Sequence, residues 1–457
     1  MNTTNLGGVF TTDLDGNLAS SNYVSTENVC GLVIDTKIAG GLEAALGTGT
    51  PASTTFGKGN VVEINVLDDC KEVGLDEKIM GGLPYYHIKQ YFKLVGTNAR
   101  LFVCFMDSTE DTDFEAIENI QLASGGIIYQ IGVWTGEAIA TVSSSGDYQL
   151  PEDGLISKLQ TMAEKLGGKI GVTNYDGNAP INILLNAPIV NAATCDYRKL
   201  PDLTGCNAPK VSMLIGQSTS ELCHEVQLAV NNIKDEASYA VTGNIGAALA
   251  VLSVAPANES IGHVASFNLS AVMTDAELGF GDLTQDSKAW GADVSFTNIK
   301  TINYIKRNKN LHKKGYIFLT NYDGLENAIF FSSDQTLSTG DYRSISRCRV
   351  MHKSRRVVRR ALLPYVNANW EVDTTTGQFS TSDITILQNV VLEALDANMV
   401  EPGSTVPQIS GRSCNIDENQ NILENDQVLV SYSLIPLGTS AVLSVTEGFA
   451  ATEASAS

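Results

Sequence analysis

Short apolar runs alternate with amphipathic stretches through the first half of the chain, and that alternation restricts the folds open to it. Val29–Asp35, Leu101–Met106, Ile127–Trp134, Ile181–Leu185 and Val211–Ile215 are apolar on successive positions and too short for globular helices. They read as strands covered on both faces. Val61–Val66 adds a further strand-like run. Between them Tyr86–Val95, Phe114–Ser124, Glu152–Leu166 and Glu221–Ile233 carry a helical period. In the third of these Leu155, Leu159, Met162 and Leu166 share a face. In the fourth Leu222, Val226, Ala229 and Ile233 do. This order predicts an α/β architecture with a mainly parallel sheet and flanking helices.

A chain of 457 residues has room for more than one core. The expected divisions are an extended N-terminal arm at 1–25, an outer α/β region at 26–205, an inner core at 206–426, and C-terminal strands with an arm at 427–457. The arm is rich in Thr, Asn and Gly, with one β-like run that holds Val9, Phe10 and Leu14. Residues 38–59 read as a Gly/Ala/Thr-rich surface loop. The small residues of GNIGAALA (243–250) suit close helix packing better than a dinucleotide loop, because the glycine spacing is wrong. Asn-Tyr-Asp-Gly occurs at 174–177 and 321–324, a turn sequence both times. Further on come a strand at Tyr316–Leu319 and a long helix at Arg343–Leu363 that stops before Pro364, with Asp341 as a candidate N-cap. A helix at Thr381–Met399 and strands at Val428–Ile435 and Ala441–Phe449 follow. Leu443, Val445 and Phe449 alternate as a strand requires.

Several function classes find little support. A net charge of −21 opposes general nucleic-acid binding. The five histidines fall in no metal spacing, and the eight cysteines form no C-x-x-C pair. Reduced, buried thiols are expected. Asp13, Asp15 and Asn17 echo a calcium loop without its downstream Glu, so a turn is the reading there. No G-x-S-x-G elbow occurs. Cys223 and His224 are adjacent, hence about 100° apart on a helix and poorly placed as a couple. No apolar stretch is long enough for a membrane span, and no secretory signal opens the chain. The expectation is a protein without catalytic residues, cofactor or metal.

One electrostatic feature stands out. Residues 300–360 hold 14 of the 30 basic residues against four acidic ones, so this window is at +10 and the remainder at −31. Within the long helix Arg349, Lys353, Arg356 and Arg360 fall in one stripe, with His352 and Arg359 beside it. Stacked like charges oppose helix formation when nothing neutralises them. An acidic partner, protein or nucleic acid, is the expectation, against a merely solvated face.

The order of segments resembles the contractile tail sheath family from about Val29 to Phe449. The stretches that carry the resemblance are YYHIKQYFKL (85–94), DFEAIENIQLASGGIIYQIGVWT (113–135), APKVSMLIGQ (208–217), GYIFLTNYDGLENAIFFSS (315–333), RVVRRALLPYVNANWEVDTTTGQFS (356–380) and VLVSYSLIPLGTSAVLSVTEGFA (428–450). The resemblance implies a structural subunit, of a phage tail or a bacterial injection particle, that polymerises in stacked, six-fold rings around an inner tube. It implies tube, baseplate and tail-terminator proteins as partners, with no membrane insertion and no direct nucleic-acid contact. It implies contraction that drives the tube through an envelope, and terminal arms that add strands to neighbouring subunits. The tube-facing role is carried to Arg349, Lys353, Arg356 and Arg360, with His352 and Arg359 at the edge. The arm role is carried to Val9, Phe10, Leu14, Leu443, Val445 and Phe449.

Overall fold

The computed structural model describes residues 29–39, 41–57, 59–96, 99–168, 179–190, 199–215, 243–278, 311–322, 324–400, 406–425 and 427–440. The N-terminal arm, the helix expected at Glu221–Ile233, the turn at 174–177 and the strand expected at Ala441–Phe449 lie outside them.

Seven strands make one sheet: β1 (Val29–Asp35), β2 (Val61–Ile64), β3 (Arg100–Met106), β4 (Gln130–Trp134), β5 (Asn182–Asn186), β6 (Val211–Leu214) and β7 (Tyr316–Ile317), in the spatial order β2-β3-β1-β4-β5-β6-β7. All neighbours are parallel except β2, which runs antiparallel to β3 at one margin. Side chains alternate between two cores, as the pleat requires. Cys30, Leu32 and Ile34 of β1 enter one layer, and Val29 and Val33 the other. Helices α1 (Leu83–Val95) and α4 (Ile245–Val254) cover the first face. Helices α2 (Glu115–Ala123) and α3 (Leu155–Gly167) cover the second. The result is the α/β architecture expected from the alternation.

Helix α4 is buried from Ile245 to Ser253, and its small residues let it approach its neighbours closely. A Cβ on Gly246 would lie 1.9 Å from the carbonyl oxygen of His87 in α1. The GNIGAALA segment therefore serves helix packing.

A second body follows. Helix α5 (Ile345–Leu362) and helix α6 (Thr381–Leu395) pack with a hairpin of β10 (Ile409–Ile416) and β11 (Val430–Pro436). Val350, Val358, Val391, Leu395, Met399 and Ile409 fill the centre, and Phe379, Ile384, Leu387 and Ile416 a smaller cluster beside it. The 321–324 turn is borne out: it joins β8 (Leu319–Tyr322) to β9 (Leu325–Phe331), with Gly324 at φ +89.

Some expectations need correction. Residues 38–59 hold two single-turn helices, Leu42–Leu46 and Pro51–Thr55, rather than only a loop. Pro51 sits at the start of the second and the Thr50 hydroxyl accepts from Ser53 N at 3.2 Å. Leu46, Ala52 and Phe56 anchor the segment in the core. The N-cap of α5 is Ser344, whose side chain accepts from Arg347 N, and not Asp341. Strands β6 and β7 share the sheet with the earlier strands, and β10 pairs with β11. Strands on both sides of residue 205 share the seven-stranded sheet, and strands on both sides of 426 share the hairpin.

Candidate functional site

In a parallel sheet with crossover helices, the helices run against the strands, so their C-termini gather where the strands begin. Each C-terminus leaves carbonyls without intrahelical partners and carries the negative end of the helix dipole. At the beginnings of β4 to β6 this edge meets α5. Arg349, only 2% exposed, donates to Leu252 O at 2.9 Å, Ala255 O at 2.8 Å and Pro256 O at 3.2 Å, closing the end of α4. Two turns on, Arg355 donates to Gly167 O at the end of α3. Lys210, just before β6, donates to Ala163 O at 3.1 Å and Gly168 O at 2.5 Å of the same helix end. Arg356 lies over the Tyr129 ring, 3.5 Å from its centroid. Lys353 donates to Gln408 Oε1 at 2.8 Å.

This enclosure shifts the titratable groups. Burial, then the Arg355 guanidinium, lowers Lys210 to about 8. Burial, then Lys210, Arg356 and Arg355, holds His352 well below the usual imidazole range, so it stays neutral.

The stripe expected to face a partner is therefore split. Arg349 and His352 are buried in the subunit and are not presented on its surface. Lys353 and Arg356 are half-buried against the chain itself. Arg355, Arg359 and Arg360 are exposed, and among the described residues no carboxylate forms an ion pair with Arg359 or Arg360. The helical wheel placed the charges correctly around α5 but had no means of showing which side meets the sheet edge. Lys210 was missed, since a lone lysine before an apolar run carries no signal that helix ends will converge on it.

The hairpin β10–β11 is the second candidate surface. Val430, Tyr432 and Leu434 turn toward the core, while Ser431, Ser433 and Ile435 turn outward. Among the described residues its sheet has only these two strands. Val9, Phe10, Leu14, Leu443, Val445 and Phe449 lie outside the described residues.

The carboxyl ends of the strands, where open α/β sheets usually take ligands, are closed by the chain's own side chains. Buried Asp35 accepts from Lys37 N, Ser108 N, Thr135 Oγ1 and Gly136 N. Asn186 accepts from Gly243 N at 3.1 Å and donates to Leu214 O at 3.1 Å. On the surface, Ser266 and Glu259 both approach His263 Nδ1, at 2.9 and 2.5 Å. Both contacts fall on one ring nitrogen, so the three do not form a relay in which acid and nucleophile use opposite nitrogens. Among the described residues no group of His, Cys, Asp and Glu is arranged to hold a metal, and no helix is long and apolar enough to cross a membrane.

Comparison with solved structures places this architecture. The helical sheath of the anti-feeding prophage in its contracted state superposes with a TM-score of 0.52 at 12% identity, over 98% of this chain and 99% of that one. The fold is that of a contractile sheath subunit. The contracted sheath complex of an extracellular contractile injection system, PVC, is also similar, at 9% identity and a TM-score of 0.48 over 98% of each chain. A family model described as DUF2586, C-terminal domain, matches residues 341–452. That match starts just before α5, where the sheath fold here changes from sheet to C-terminal body. No curated protein matches the sequence.

Proposed function

We propose that this chain is the structural subunit of a contractile sheath, polymerising helically around an inner tube and contracting to drive that tube through a target envelope. The observation that carries the reading is the end-to-end correspondence with a sheath subunit, 98% of this chain against 99% of that one. A fold matched over both whole lengths leaves little of the chain for an added catalytic domain.

The margins of the β10–β11 hairpin are the proposed docking edge for polymerisation. A strand from a neighbour that docks there gains backbone hydrogen bonds along its length, and alternating side chains set its register. The arm at 1–25 and the segment at 441–449 are the strands assigned to that role, through Val9, Phe10, Leu14, Leu443, Val445 and Phe449. Such a mesh binds subunits through main chain, so it survives while rigid bodies rotate. Rings of six subunits, a tube protein, a baseplate and a terminator complete the proposed particle, whether a phage tail or a bacterial injection device.

The tube-facing charge rests on Arg359 and Arg360, with Arg355, Lys353 and Arg356 at the margin of the same face. Exposed ion pairs contribute about 0–1 kcal/mol each, which suits a contact that holds and then releases. Because Arg349, Lys353, Arg355 and Arg356 already meet the chain's own groups, little of the helix is left for a nucleic-acid backbone. Negative-stain electron microscopy of the concentrated protein tests the reading. Striated hollow cylinders are expected; small discrete particles under every assembly condition, tube protein included, overturn it.

A further inference from the structure

The first residues of β4 and β5, Gln130 and Asn182, stand side by side in parallel register. They are 1% and 3% exposed. Among the described residues neither oxygen and neither nitrogen of the two amides has a hydrogen-bond partner. Buried amides are almost always satisfied, so two adjacent ones with none of their four atoms engaged call for an explanation.

Their surroundings are defined. Two residues along β4, Gly132 faces Ile245 and Leu249 of α4, and two along β5, Leu184 packs in the same layer. Strand alternation puts Gln130 and Asn182 on that face, toward the end of α4 where Arg349 reaches Leu252 O and Ala255 O. Helix α5 also touches β5. Arg356 covers Tyr129, the residue before Gln130.

We propose that Gln130 and Asn182 frame an internal site for ordered water in the seam between the sheet and the end of α4. The lining chooses the ligand. Two amides present donors and acceptors in equal number, and water can both donate and accept. An anion would meet the two amide oxygens. A metal cation would meet the Arg349 guanidinium at the end of α4. An apolar guest would leave every polar atom unsatisfied.

Two measurements test the site on the full-length protein. A crystallographic or cryo-EM map that resolves ordered solvent should show discrete density within hydrogen-bond distance of both amides. Direct bonding of the amides to each other, or protein atoms filling the space, overturns the proposal. The second is thermal unfolding of Gln130→Met and Asn182→Leu. If water bridges the amides, each change removes partners from it and Tm falls by about 2 °C or more. If the seam is dry, each change removes an unsatisfied amide, and an unchanged or raised Tm overturns the proposal. A variant too unstable to purify leaves the decision to the map.

Discussion

Single atoms decide several properties of this protein. Replacing Gly246 with alanine would place a Cβ 1.9 Å from His87 O, and the backbones of α1 and α4 would have to separate. Loss of about 1–3 kcal/mol is expected, measured by denaturant unfolding. Arg349 offers a sharper test. Arg349→Met would leave the carbonyls at the end of α4 without their charged donor and should cost about 3 kcal/mol. Arg349→Lys should recover only part, because an ammonium cannot match the planar fork. His87 gives a prediction in pH. Burial, partly offset by the interaction of the ring with Gln90, lowers it from 6.5 to about 3. The unfolded chain then takes up the proton first as pH falls. The contribution of His87 to stability is complete above pH 6.5 and is lost progressively toward pH 3. His87→Phe should flatten that part of the acid limb of Tm against pH; an unaltered slope would contradict the assignment.

Among the elements, α5 carries two kinds of charge, distinguished by what each side chain touches. Its inward cations neutralise helix ends, so reversing them should damage folding. Its outward ones have no such duty. Arg359→Glu with Arg360→Glu should therefore leave Tm within about 0.5 kcal/mol of the parent in stability terms and yet prevent sedimentation with tube protein. Arg349→Glu should instead yield little folded subunit. If the outward pair proves dispensable for assembly, the tube contact lies elsewhere. Strand and helix positions were legible in the residues: Val29–Asp35 matches β1 residue for residue, and the period of Glu152–Leu166 gives α3. Strand β10 was not legible, because its exposed face and Gly411 break the apolar pattern, and its pairing with β11 makes it a strand.

At the scale of the whole molecule helix ends and cations help to join α5 to the sheet, beside apolar contacts such as Ile345 in the sheet-side core. Arg349 ties α5 to α4, and Arg355 and Lys210 tie α5, β6 and α3 together. A joint of this kind keeps α5 with the sheet. Deleting residues 1–25 should leave the Tm of the isolated subunit unchanged while abolishing cylinders in the electron microscope. Cylinders formed by the truncated chain would remove the arm from the assembly mechanism.

Residue order by itself determined the α/β class, the close packing at GNIGAALA, the 321–324 turn and the concentration of basic residues on one helix. These follow from local periodicity, small side chains and formal charge, all of which act over a few residues. The destination of that charge was decided only by tertiary structure. Parallel crossovers bring the ends of α3 and α4, distant in sequence, to one edge of the sheet, where Arg349 and Lys210 are buried against their carbonyls and Arg355 reaches Gly167 O from the surface. Neither the converging ends nor the half of the helix they consume exists until the sheet has closed.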